Sequence, residues 1–127
     1  MAIPTFRALI VILAVCATPT PNRAACRPQP QAAAECVWIH GRLDAWNGAP
    51  TFRIWPIGSK RILGVDGAAG QEPLPPAVAE ALSRVGGDGF SASVWGDYRV
   101  CPLTRSRPGH MQFVCIAGTR RLVARRR

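Results

Sequence analysis

The chain has 127 residues, which permits one domain with a modest core and leaves no room for a second. Sixteen Lys and Arg against seven Asp and Glu give a net charge of +9, and fifteen of the sixteen bases are arginine. Such a balance speaks to anionic partners rather than to fold. The forked guanidinium suits phosphate and carboxylate, although a GC-rich genome enriches arginine without any such selection.

Residues 1–7 carry one positive charge and 8–17, ALIVILAVCA, form a ten-residue apolar run. That run is too short to span a bilayer as a helix and suits the core of a secretory signal. Cleavage after Ala17 competes with a lipobox-like reading of Leu13-Ala14-Val15-Cys16, in which Cys16 is lipidated. Valine before the cysteine departs from the usual small residue. Residues 1–17 are therefore expected to be a signal peptide, and the mature protein to be exported to the periplasm or cell envelope. Residues 18–35, rich in Pro, Ala and Gln without an apolar period, read as a flexible linker.

From Cys36 the pattern changes. Val37, Ile39 and Leu43 alternate with polar residues, as do Phe52 and Ile54, and Asn47-Gly48 between them suits a tight hairpin turn. A turn over Pro56–Lys60 with Gly58 leads into a third strand at 61–65. Leu74, Val78, Leu82 and Val85 recur at three and four residues, opened by Pro75-Pro76 and closed by Gly86-Gly87, which predicts a short helix. Phe90, Ala92, Val94, Gly96, Tyr98 and Val100 form the apolar face of a fourth strand with a polar outer face. Val114 and Ile116 begin a fifth strand, which continues past Gly118 towards Leu122 and Val123. Residues 36–124 thus make one domain, followed by a basic, frayed tail at 125–127.

Five cysteines become four once Cys16 is removed or lipidated, and an oxidising compartment favours disulfides among them. A hairpin centred on Pro108 sets Cys101 opposite Cys115 and Val100 opposite Ile116. Directly opposed Cα atoms lie about 4.5–5.5 Å apart, within disulfide range, so a Cys101–Cys115 bond is expected and the pairing of Cys26 and Cys36 is left open. No CxxC occurs and His40 and His110 lie in different segments, so no metal site is assigned.

The order strand, strand, strand, helix, strand, strand is that of the OB-fold: a mostly β, five-stranded barrel with one short helix between strands three and four. The stretches HGRLDAWNGAPTFRIWPIGSKRILGV (40–65), VWGDYRVCPLT (94–104) and RPGHMQFVC (107–115) resemble a group of small exported proteins and lipoproteins of Gram-negative bacteria. The resemblance covers roughly a third of the chain. It implies export and a compact domain; the group has no established activity, so it implies no reaction.

His40 with Arg42 could act as a base beside an anion clamp, but alternation puts both on the polar face of a strand. Asp44 and Asp97 could pair as carboxylates, yet Asp97 follows a glycine, where a bulge is the ordinary explanation. No Gly-x-Ser-x-Gly, P-loop or zincin motif is present, and no catalytic residue or cofactor is assigned. Aromatic and basic residues cluster more suggestively. Trp46 and Asn47 lie in the first loop, Arg53 and Trp55 share one face of strand two, Lys60 and Arg61 enter strand three, and Arg105, Arg107 and His110 lie in the four-to-five loop. An OB barrel gathers these positions about its ligand groove, where rings stack on sugars or bases and guanidinium groups pair with anions. The expectation is a non-catalytic envelope module for an anionic ligand: polysaccharide, lipid headgroup, nucleic acid or an acidic protein surface. Membrane contact would come only through a lipid anchor on Cys16. A structural or assembly factor docking on a protein is the alternative, and a small hydrolase a third.

Overall fold

Alternation decides which side of each strand faces inward, and here the inward residues are small or aliphatic apart from Tyr98. The computed structural model describes residues 2–3, 26–67 and 73–127. The expected signal core, Cys16 and the loop beyond Gly67 fall mostly outside the described residues. Five strands, β1 (Val37–Ala45), β2 (Phe52–Pro56), β3 (Leu63–Val65), β4 (Ala92–Pro102) and β5 (Gln112–Arg126), close on themselves in the order β1-β2-β3-β5-β4. Helix α1 (Pro76–Arg84) joins β3 to β4. All neighbours are antiparallel except β3 and β5, which run parallel, as the OB-like order requires.

Leu43, Ile54, Val94 and Tyr98 are fully buried at the centre, with Leu63, Val65, Val100 and Val114 around them. Each fully buried aliphatic side chain contributes about 1.5–3 kcal/mol relative to exposure. Gly41 interrupts the apolar alternation of β1 because a Cβ there would stand 2.6 Å from Ile54 Cγ2. Helix α1 buries Val78, Ala81 and Leu82 in the same core and lies against β4 and β5. Its end is a Schellman motif: Gly86 takes φ +63, its N–H reaches Ser83 O, and Gly87 N–H reaches Leu82 O.

Several expected boundaries move, each for a local reason. The first hairpin closes over six residues, with Trp46 N–H on Thr51 O, rather than over a two-residue Asn47-Gly48 turn. Phe90 is exposed and outside β4, because the Asp88 carboxylate captures the amides of Phe90 and Ser91 at 2.9 and 3.0 Å and makes a turn. Arg125 and Arg126 pair with Ser93 and Ala92 inside β5. Arg127 is held too, its N–H on Ser91 O and its guanidinium on Gly89 O and Phe90 O, so the basic end is part of the sheet.

The hairpin register is the expected one, with Cys101 opposite Cys115 and Val100 opposite Ile116. The expected Cys101–Cys115 bond is nevertheless replaced by Cys36–Cys101 and Cys26–Cys115. Strand β4 has a neighbour on each side. Val37 of β1 is opposite Val100, which leaves Cys36 one step beyond the ladder beside Cys101, with Cα atoms 4.1 Å apart. Cys115 instead takes Cys26, which arrives because residues 26–35 lie along the barrel rather than trailing as a linker. Gln29 N–H bonds Pro102 O at 3.0 Å and Ala32 is buried. The two bonds span 89 and 65 residues.

Candidate functional site

The outer sheet face is built by the polar positions of β1, β2, β4 and β5. Register sets Arg42 between Trp55 of β2 and Trp95 of β4, and its guanidinium stands 5.1 and 5.6 Å from the two ring centroids. Arg53 lies over Trp46 at 5.3 Å and Arg120 over Trp38 at 3.7 Å. All four tryptophans of the chain therefore carry an arginine on this surface, an arrangement favoured by the negative face of the ring.

The carboxylates of this face, Asp44 and Asp97, each have side-chain partners on it. Asp44 is buried, receives Arg42 Nε at 2.8 Å, and accepts a hydrogen bond from Ser93 Oγ. Asp97 accepts from Arg121 Nε at 2.9 Å and lies 3.0 Å from His40 Nδ1. The Arg121 hydrogen bonds, and after them that of His40, hold the Asp97 carboxyl below its usual range. Asp44 and Asp97 thus have separate partners and do not form a shared-proton pair. His40 and Arg42 do lie on the outward face, as alternation predicts, each beside a carboxylate: His40 next to Asp97 and Arg42 on Asp44.

The predicted ligand residues fall into two groups. Lys60, Arg61, Arg107 and His110 line a cleft of about 490 Å³ between the β2–β3 and β4–β5 loops. Arg105, Arg107 and His110 also line an adjoining cleft of about 420 Å³, whose far wall includes Gln31 and Phe113. Trp46, Asn47, Arg53 and Trp55 line neither; they belong to the first loop and the outer face. The Trp55 indole is itself engaged, donating to Ser59 O at 2.8 Å.

Local sequence holds the cleft in shape. Pro108-Gly109 makes a turn with Gly109 at φ +74 and His110 N–H on Arg107 O, which projects the two flanking side chains from a fixed base. Thr104 ties the loop down, its hydroxyl accepting from Phe113 N–H at 2.9 Å and its carbonyl from Gln112 Nε2 at 3.0 Å. Gln112 in turn accepts from the Arg61 guanidinium. Among the described residues no acidic side chain lines either cleft, and Lys60, Arg105 and Arg107 have no ion-pair partner.

Sequence reading singled out Trp55 and Arg53, set Trp95 on the outer face of strand four without assigning it to the site, and passed over Trp38, Arg120 and Arg121. Their signal was present as alternation on the outer sides of β1, β4 and β5, but pairing needs the strand register. The one cluster of metal-ligating type among the described residues is Cys26, Cys101 and Cys115, and all three are in disulfides. Comparison with protein-family models, with curated proteins and with solved structures found no match.

Proposed function

We propose that the protein is an exported, non-catalytic module of the cell envelope whose loop cleft binds an anionic ligand. One observation carries this reading: Lys60, Arg61, Arg107 and His110 converge on one cleft, and among the described residues no carboxylate lines it. The outer face is less suited, because Arg42 and Arg121 are already paired with Asp44 and Asp97. Export is supported by the apolar run at 8–17 and by two disulfides, which suit an oxidising compartment. The resemblance to exported Gram-negative proteins and lipoproteins points the same way. A cluster of unneutralised bases attracts phosphate or carboxylate, and association releases counterions, so binding falls with salt.

The test uses the mature chain with polyphosphate and polygalacturonate as phosphate and carboxylate probes. Lys60→Glu with Arg107→Glu should weaken binding at least tenfold and flatten the salt dependence by about one unit of slope for each base removed. Arg99→Glu with Arg120→Glu makes the same charge change on the outer face and should cost little. Equal losses from both pairs would reduce the cleft to nonspecific electrostatics. A protein-docking role is the second reading, favoured by the exposure of Val37, Trp38, Trp46 and Val123; one stoichiometric partner co-purifying through Trp38 would select it.

A further inference from the structure

The two disulfides meet at one point of the barrel, and their arrangement has a chemical consequence. The sulfurs of Cys26, Cys101 and Cys115 all lie within 4.8 Å of one another, so one bond is poised beside the other. Each bond joins a buried cysteine to a more accessible one. Cys101 and Cys115 are fully or almost fully buried, whereas Cys36 and Cys26 are half-buried. The two buried members are also directly opposed across β4 and β5, at the separation a third disulfide would need.

We propose that this cluster is a thiol-exchange site at which a small thiol, attacking Cys36 or Cys26, converts the native pairing into Cys101–Cys115 and unties residues 26–36 from the barrel. A thiolate attacks a disulfide sulfur in line, forming one S–S bond as another breaks. Attack on Cys36 leaves a mixed disulfide there and expels the Cys101 thiolate. Cys101 then attacks Cys115, forming Cys101–Cys115 and expelling the Cys26 thiolate. Attack on Cys26 runs the mirror course: Cys115 is expelled, attacks Cys101 and releases Cys36. Both routes reach the same cross-strand bond. The freed cysteine can displace the small thiol from the other, giving Cys26–Cys36 and returning the thiol. Two disulfides are present before and after, so no external oxidant or reductant is consumed.

The geometry favours this direction over simple reduction. The expelled thiolate is buried beside an intact disulfide and away from solvent, so its nearest electrophile is internal. Gln29 N–H to Pro102 O, Gln31 Nε2 to Leu103 O and packing of Ala32 would then hold the released segment.

The test treats the oxidised full-length chain carrying Cys16→Ala, which leaves only the four paired cysteines, with one equivalent of 2-mercaptoethanol, quenches with acid and traps free thiols with N-ethylmaleimide. Glu35 separates Cys26 from Cys36, and Arg105 separates Cys101 from Cys115, so digestion with trypsin and a glutamate-specific protease resolves every pairing. The Cys101–Cys115 peptide pair should rise from absent to the main species among opened chains. Maleimide should mark Cys26 or Cys36. The variant Cys26→Ala/Cys115→Ala lacks the internal acceptor and should show Cys101 labelled at least tenfold more than in the parent chain. A parent chain that accumulates labelled Cys101 or Cys115, with no Cys101–Cys115 peptide, would overturn the proposal. So would a native chain inert to the thiol while the urea-unfolded chain reacts.

Discussion

Removing Arg42 tests how the outer face is held together. Its guanidinium donates to Asp44 at 2.8 Å and lies 5.1 and 5.6 Å from the centroids of Trp55 and Trp95. The Asp44 side chain is 4% exposed and that of Arg42 34%. Stripping the partner from a buried charge costs about 3–5 kcal/mol, and the exposure of Arg42 brings this down to about 2–3. Two half-exposed cation–π contacts add about 0.5–1 kcal/mol each. Arg42→Ala should therefore lose about 3–5 kcal/mol. Urea unfolding of the oxidised protein, followed by circular dichroism, would read it as a lower midpoint at unchanged m-value. Asp44→Ala in the Arg42→Ala background should recover part of the loss, because no uncompensated carboxylate remains. A single-variant loss below about 1 kcal/mol, or strict additivity in the double variant, would refute the reasoning.

Three further outcomes follow from the same face and core. Asp97 has its folded pKa depressed by Arg121 and then His40, so it stabilises above its unfolded pKa and that stability is lost as pH falls through the depressed value; Asp97→Asn should flatten the acid limb of a stability–pH profile. Tyr98, the only tyrosine, is buried and donates to Val94 O at 2.8 Å; burial, and then the Asp44 charge, raise its pKa from 10.0, so its phenolate absorbance should appear only on unfolding and stability should decline as pH rises above about 10. A Cβ at Gly96 would stand 2.7 Å from Leu122 Cδ2 and 3.1 Å from the carbonyl oxygens of Arg120 and Arg121. Gly96→Ala should thus cost about 1–3 kcal/mol by denaturant titration, with Gly118→Ala, whose nearest neighbour is 3.4 Å away, costing less.

Local periodicity carried much of the fold. The strand order, the helix with its Gly86-Gly87 stop and the Pro108 hairpin register were legible because each depends on residues close in sequence. The cysteine pairing was not. Cys101 has Cys115 across one ladder and Cys36 across the other, and only the β1–β4 register shows the second neighbour. That register joins residues about sixty apart, which no turn specifies. The binding residues divided for a similar reason. Lys60, Arg107 and His110 sit on loops that leave the same end of the barrel, while Arg53 and Trp55 follow the pleat of β2 onto the outer wall.

The division also answers a problem of charge. A chain with sixteen cations and seven anions cannot neutralise its surface pairwise. Its sheet face spends two carboxylates, Asp44 and Asp97, on Arg42 and Arg121, and sets Arg53 and Arg120 on tryptophan rings instead. The ring attracts the guanidinium and covers its stem without adding negative charge, so arginines can crowd a sheet with few acids nearby. The tryptophans are accordingly on the surface, and among the described residues Tyr98 is the one fully buried aromatic. It also leaves the loop cleft with neither device. Among the described residues no carboxylate and no tryptophan lines it, so the positive field of Lys60, Arg61, Arg105 and Arg107 faces outward unquenched. Placing a carboxylate there by His110→Glu should consequently weaken polyphosphate binding more than the same substitution at Arg99 weakens it. A single acid there offsets one of four unquenched cations beside the ligand, whereas on the outer face Asp97 and the tryptophan rings already hold Arg121, Arg53 and Arg120.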